Sequence, residues 1–559
     1  MKKLLLLTPI FLFYLIAPFI GAQAQTAPVL KAAQSIFTLT TFNADGSIHA
    51  STHGVFTGNR GEAVSQWHVF DGAARAVVID AKGQQHDVQT MLGASDIYDV
   101  CRFTVAGQSK LPEGIPMATV TSQGSPLFLV EYSVKKPVAK KIVPVRVEKF
   151  MTNYNYYVFN DQDVSSTDLG CPVVNAAGQL LGIMQRPEEG GQAFSADARL
   201  TTTFTLNGLS INDPTLRATG IRTALPTDEQ QATLTLMLAT AQGDSTRAEA
   251  YIDDFIKAFP HSTVGYSTRA NRFVQQRQLG QANETLEQEL KNTDKKDEAY
   301  NDFAKTVYQA VVYQADTTYT KWTLNKALDM AEQAYKINPQ PIYRHLQAQI
   351  VYAMGDYAKA LELFTELQAT DLGKNGEVYY EAAQCKTQLK APQSDILSLL
   401  NKAATVQTGA AAAPYILARG RAYDNAGETR KAFVDYCTYD SLINNRGTHA
   451  FYYTKFQCEM KLHQYQLALN DIAHAIVLNR TEPVYYAEMA SLQLRVNKLA
   501  DAIHTCDLAL QLTQNNSDLF IIRGIALCES QRKEEGLDML RKAEALGDQR
   551  AAGLIKKYK

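Results

Sequence analysis

Three small residues, Ala468, Ala502 and Gly536, stand 34 residues apart near the C-terminal end of the chain. A fixed period of this length constrains a fold more than composition does, because each unit must bury its apolar face against its neighbour. A second spacing recurs inside the units. Ala348 and Ala360, Gly420 and Ala432, Ala490 and Ala502, and Gly524 and Gly536 are each 12 residues apart. Four residues beyond the second member of each pair comes a larger side chain: Phe364, Tyr436, Cys506 and Leu540. Alanines, leucines and tyrosines recur at helical spacing from about Thr227 onward. The pattern predicts antiparallel helix pairs that approach closely where the small residues cross, with the larger residue filling the gap beside them.

In "RHLQAQIVYAMGDYAKALELFTEL" and "ILARGRAYDNAGETRKAFVDYCTY", Gly355 and Gly427 fall in the turns between helices. Pro260 and Pro339 fall where a second helix ends. This spacing resembles the tetratricopeptide repeat. The resemblance implies an all-α superhelix over residues 227–548 with about eight or nine repeats, closed by a polar-backed capping helix at 549–559. It further implies a groove for a protein or peptide ligand rather than chemistry of its own. The tyrosine pairs Tyr379/Tyr380, Tyr452/Tyr453 and Tyr485/Tyr486 are each expected to put one ring in the core and one toward a surface.

The N-terminal half has a different period. "SIFTLTTF", "ARAVVIDA", "YDVCRFTV", "PLFLVEY", "KKIVPVRVEKF", "NYYVFN" and "QLLGIMQR" are short β-rich runs, and turn signals such as Asn43-Ala44-Asp45-Gly46 separate them. Many short, punctuated strands predict an antiparallel barrel or sandwich. Residues 211–226, bracketed by Pro214 and Pro226, read as a linker.

Three motifs in this half stand in a telling order. Gly54-Val55-Phe56 precedes Ser65-Gln66-Trp67-His68-Val69. Asp99 follows in "GASDIYDVCRFTV", and Thr167-Asp168-Leu169-Gly170-Cys171-Pro172 follows that. The order and intervals resemble a trypsin-like serine protease, with histidine, aspartate and nucleophile segments over about residues 34–205. The resemblance implies an all-β double barrel, assigned to residues 30–210. It places His68 and Asp99 at the histidine and aspartate positions. Leu169 occupies the serine position.

Acyl transfer needs a hydroxyl or thiol that gives its proton to the imidazole. Leucine has neither. The oxyanion-binding amides would come from Leu169 and Thr167, and a side chain at Thr167 disfavours the required turn. His68 and Asp99 are therefore expected as remnants of a triad, without an enzyme around them. The alternative is a displaced nucleophile, Ser165 or Ser166, or more remotely the Cys171 thiol. A barrel without a nucleophile could still bind an extended peptide as an added strand, and "GQAFSADA" around Phe194 is the expected edge.

Lys2 and Lys3, the apolar run from Leu4 to about Ile20, and Ala22 and Ala24 fit a signal peptide over residues 1–24, cleaved after Ala24. No other stretch is apolar enough to span a membrane. The implied location is the periplasm or the exterior of a bacterial cell. Net charge is −2 with no long basic run, which does not favour nucleic acid. Seven cysteines match no zinc spacing, and the ten histidines form no His-x-x-x-His pair with a carboxylate. No metal or cofactor is expected. The five C-terminal cysteines read as buried thiols, and a Cys101–Cys171 disulfide stays open at this stage.

Overall fold

The computed structural model describes residues 27–58, 61–107, 110–118, 125–186, 191–313, 319–513 and 515–559. The predicted signal peptide lies outside them. The chain forms two compact units, Met1–Arg269 and Ala270–Lys559.

In the first unit a short helix, Ala27–Ala32, leads into six strands: β1 (Ile36–Phe42), β2 (Ile48–Phe56), β3 (Glu62–Ser65), β4 (Arg75–Asp80), β5 (Gln85–Ser95) and β6 (Val100–Val105). They pair in the order β5-β4-β1-β2-β3-β6, and β5 also pairs with β6, so the sheet closes on itself. Closure leaves no free edge between the first and last strand. Apolar residues alternate inward along β1, where Phe37 and Leu39 are buried. The Phe37 ring packs edge-on against Phe56 with centroids 4.8 Å apart. Burying each such ring contributes about 2–3 kcal/mol.

A second barrel follows from β7 (Leu127–Glu131), β8 (Val138–Ile142), β9 (Arg146–Phe150), β10 (Tyr154–Val158), β11 (Pro172–Asn175), β12 (Leu180–Ile183) and β13 (Phe194–Ala196). One sheet runs β12-β11-β7-β8 and the other β13-β10-β9. The bridges Gln185↔Phe194 and Gly182↔Asp197 join them on one side. On the other side the chain crosses from β8 to β9 around Pro144, which cannot donate to a ladder. Gly182 is needed at the first seam, since a Cβ there would sit 2.3 Å from the Ala196 carbonyl oxygen. Ile36, Val55, Val64, Val130, Val174 and Leu180 form a core shared by the two barrels.

The expected linker is built into this unit. Within it, β14 (Arg222–Thr223) pairs in parallel with β5. The first two long helices, Glu229–Ala241 and Ser245–Ala258, pack as a hairpin. Tyr251 in the second donates its hydroxyl to the Thr223 carbonyl oxygen at 2.9 Å.

The second unit is all helical. Successive helices pack in antiparallel pairs through Ser517–Glu529 and Lys533–Ala545, and Gln549–Tyr558 closes the run. The small residues meet as their spacing predicts: Ala348, Ala360, Ala432, Ala490 and Ala502 are fully buried, as are Tyr436, Cys506 and Leu540 beside them. The tyrosine expectation holds only for Tyr452, buried, and Tyr453, half-buried. Both Tyr485 and Tyr486 are buried, while Tyr379 and Tyr380 are both half-buried. A helix advances about 100° per residue, so adjacent positions can share a broad packed face. Among the described residues no helix is long and apolar enough to cross a membrane.

Candidate functional site

A cleft of about 290 Å³ opens between the two barrels. Thr38, Ser51, Thr52, His53, Gln66 and His68 line it from the first barrel, and Ser166, Leu169 and Arg186 from the second. His68 follows β3, where the chain leaves the barrel wall, and Asp99 sits in the tight turn before β6 with φ +47°. The Asp99 carboxylate accepts twice from His68, from Nδ1 at 2.8 Å and from the backbone N–H at 2.7 Å. Gln66 Nε2 approaches the same carboxylate at 3.3 Å, and Gln185 Nε2 donates to the Asp99 carbonyl at 2.6 Å. These contacts fix the imidazole orientation, the role an aspartate has beside a catalytic base.

Leu169, which the sequence resemblance set at the serine position, carries neither a hydroxyl nor a thiol. Leu169 is half-buried, its side chain packed against the second barrel's core. The following Gly170 has φ +78°, and a Cβ there would lie 2.2 Å from the His53 carbonyl oxygen. The chain thus turns sharply directly after Leu169. Ser166–Asp168 form a single 3₁₀ turn, and the Leu169 N–H points back to the Ser166 carbonyl oxygen at 3.5 Å. An amide directed into its own turn is not aimed at a developing oxyanion.

Asp168 anchors this turn. It accepts from Lys140 Nζ at 2.6 Å, the Ser165 N–H at 2.7 Å and Ser165 Oγ at 2.8 Å. Burial would raise its pKa, but the Lys140 and Ser165 donors outweigh it and hold the carboxyl below the usual range. Ser165 Oγ is committed to Asp168 and Thr167, and Ser165 does not line the cleft. Ser166 does line it. Cys171 is fully buried, and burial pushes its thiol up to about 12, which removes the thiolate a nucleophile needs.

His53, Thr52 and Gln66 were not singled out by sequence. Thr52 Oγ1 donates to Gln66 Oε1 at 2.6 Å, and His53 Nδ1 lies 3.2 Å from the Leu169 carbonyl oxygen. Burial lowers the His53 pKa, outweighing the Leu169 hydrogen bond that would raise it. Thr52 and His53 signal themselves in the sequence only as polar residues inside the strand ending "HGVF", whereas Gln66 stands two residues before His68 in the histidine segment.

Phe194 is not a free edge, contrary to the sequence expectation. Its N–H and carbonyl both bond Gln185, at 2.9 and 2.8 Å, and Phe194 also pairs with Val158 on β10. With both sides engaged, no strand can be added there. Cys101 and Cys171 are separate buried thiols, so the open disulfide does not form. Cys385, Cys458 and Cys506 are buried as expected, whereas Cys437 and Cys528 are half-buried.

Sequence reading saw no metal-ligating group, yet His345, Glu377 and Glu381 bring three ligand atoms within 4.8 Å of one another. They come from two helices, so no local motif announces them. His345 Nε2 lies 2.5 Å from Glu381 Oε2, and Gln349 donates to the other Glu381 oxygen at 2.8 Å. This is an ion pair satisfied by protein groups. A larger recess of about 900 Å³ lies beside the helix Ala27–Ala32, remote in its lining from every motif residue.

Fold and cleft together define a trypsin-like double barrel followed by tetratricopeptide-like helix pairs. No family model matches the chain, and no curated protein matches it. Among solved structures it is similar to a serine endoprotease from Yersinia pestis, at 18% identity and a TM-score of 0.26, over 34% of this chain and 65% of that one. It is similar to an HtrA-type protease with a tripeptide, at 17% identity and TM-score 0.26, over 31% of this chain and 60% of that one. In both, the match spans less than two thirds of the other protein. The tetratricopeptide protein YrrB, described as having an unusual peptide-binding site, matches at 19% identity and TM-score 0.31, over 35% of this chain and 97% of that one.

Proposed function

We propose that this is an exported, non-catalytic scaffold that binds a protein or peptide. Its barrels keep the shape of a protease cleft without the means to cleave, and its helix pairs supply the ligand groove. The observation that carries this reading is that Leu169, the residue the sequence resemblance sets at the serine position, lines the same cleft as His68, whose Nδ1 bonds Asp99. His68 and Asp99 are then a positioning pair that shapes the cleft wall. The signal-peptide pattern of residues 1–24 supports export to the periplasm or beyond.

The test is a fluorophosphonate probe on the purified protein, followed by mass mapping. Wild type is expected to carry no label. Leu169→Ser restores a hydroxyl but leaves an amide that points into its own turn. Loss of one oxyanion donor costs about 10²–10³-fold, so the variant is expected to label at least that much more slowly than a competent serine protease.

Ser166 supports a second reading, an endopeptidase with a displaced nucleophile, because it lines the cleft with His68. Label on wild-type Ser166 that disappears in His68→Ala would replace the scaffold by an enzyme.

A further inference from the structure

The strand β9 leaves one edge without a strand neighbour. It pairs with β10 on one side, and among the described residues it has no strand partner on the other. Arg146 through Lys149 are exposed on both faces, and Phe150 is half-buried. Four large apolar residues of this segment face solvent: Val143 at 68%, Val145 at 52%, Val147 at 38% and Met151 at 62%. An exposed apolar edge is a template for another strand.

The residues identify which strand fits. Arg146, Val147 and Glu148 read as cation, apolar, anion. In an antiparallel pair, a segment of this kind is its own complement. With Val147 opposite Val147 on a two-fold axis, Arg146 of each copy faces Glu148 of the other. Val145 then faces the aliphatic stem of Lys149, and Val143 comes level with Met151. Opposite charges directly across a pair stabilise, and like charges destabilise. One slip of register would set Arg146 against Val147 and forfeit both ion pairs. Arg146 Nε and Glu148 Oε1 already lie side by side at 2.5 Å on one face, leaving Val147 on the other.

We propose that β9 is a docking edge for a second copy of this chain, joined as an antiparallel β9–β9 pair about a two-fold axis. A closed two-fold contact uses the same patch on both copies. The contact is short, at the small end of specific interfaces, so association is reversible and concentration-dependent.

Sedimentation velocity on the full chain at rising concentration tests this. Wild type should double in mass. Arg146→Glu alone and Glu148→Arg alone should each remain monomeric, because each sets like charges against each other across the axis. An equimolar mixture of these two variants should recover the doubled mass, since each then meets its opposite. Mixing cannot repair a pair within one chain, so recovery separates the proposed contact from the internal Arg146–Glu148 contact. Hydrogen exchange at the amides of Val145–Lys149 in wild type should slow as concentration rises, a readout that needs no variant. A wild type that stays monomeric, single variants that still dimerise, or a mixture that stays monomeric would each overturn the proposal. Protection of these amides only on adding an extended peptide would assign the edge to a different occupant and overturn it too.

Discussion

Asp168 accepts three hydrogen bonds inside a turn whose next residue cannot react, so its role is structural. Its carboxyl is held below the usual range, and its contribution to stability follows in sign. That contribution is complete above the unfolded aspartate value of about 3.9. It is lost as pH falls through the lower folded value. Lys140→Met should destabilise the first unit by about 1–3 kcal/mol, the worth of a charged hydrogen bond to a buried group, read by urea denaturation at pH 7. The loss should shrink toward pH 3. His345 has the opposite sign. Burial lowers its pKa, but the Glu381 hydrogen bond and charge prevail and raise it. The pair stabilises fully below about pH 6.5 and loses that stability as pH rises through the folded value. NMR titration should find His345 above the ordinary histidine range, and in Glu381→Gln its midpoint should fall. At this scale the sequence was partly legible. His68 and Asp99 could be paired by motif order, but His53 and Gln66 needed the β2 and β3 strands set side by side. His345 and Glu381 lie 36 residues apart and meet only through helix packing.

Helices and strands were unequally readable. Small-residue spacing located the helix crossings because backbone approach leaves no room for anything larger. At Gly524 an added Cβ would lie 2.9 Å from Leu540 and 3.1 Å from the Gly536 carbonyl oxygen. Gly524→Leu should therefore cost about 1–3 kcal/mol or more through overpacking. Gly553 lies in the last helix with nothing within 4 Å of its would-be Cβ. Gly553→Ala should instead gain about 0.5–1 kcal/mol. Urea midpoints of the two variants should move in opposite directions. Strands with apolar alternation, such as β1 and β4, were visible in the sequence. The polar β2, "IHASTHGVF", and the first half of β5 were not, because they are exposed over much of their length. "KKIVPVRVEKF" read as one strand, but it divides around Pro144 into β8 and β9, which serve different sheets.

For the whole molecule, the change to a helical period at about Thr227 falls between β14 and the first long helix, Glu229–Ala241. It did not disclose that the first helix pair belongs with the barrels. Ile211, Leu236, Tyr251, Ile252 and Phe255 form one core, and Arg222 pairs with Asp254. A fragment of residues 27–262 should be soluble and give a sharp near-ultraviolet CD spectrum. A fragment of residues 27–226 should aggregate, because it lacks the helices that cover Ile211 and Leu225. Equal behaviour of the two would show that the helix pair is dispensable to the barrels. The reason sequence missed this is that a two-residue strand such as β14 carries no periodicity.

All seven cysteines are free thiols. The native state therefore contains no covalent step that an oxidant or an isomerase must complete. The chain should reach the same fold in a reducing cytosol as in an oxidising envelope, and reductant should leave its melting curve unchanged.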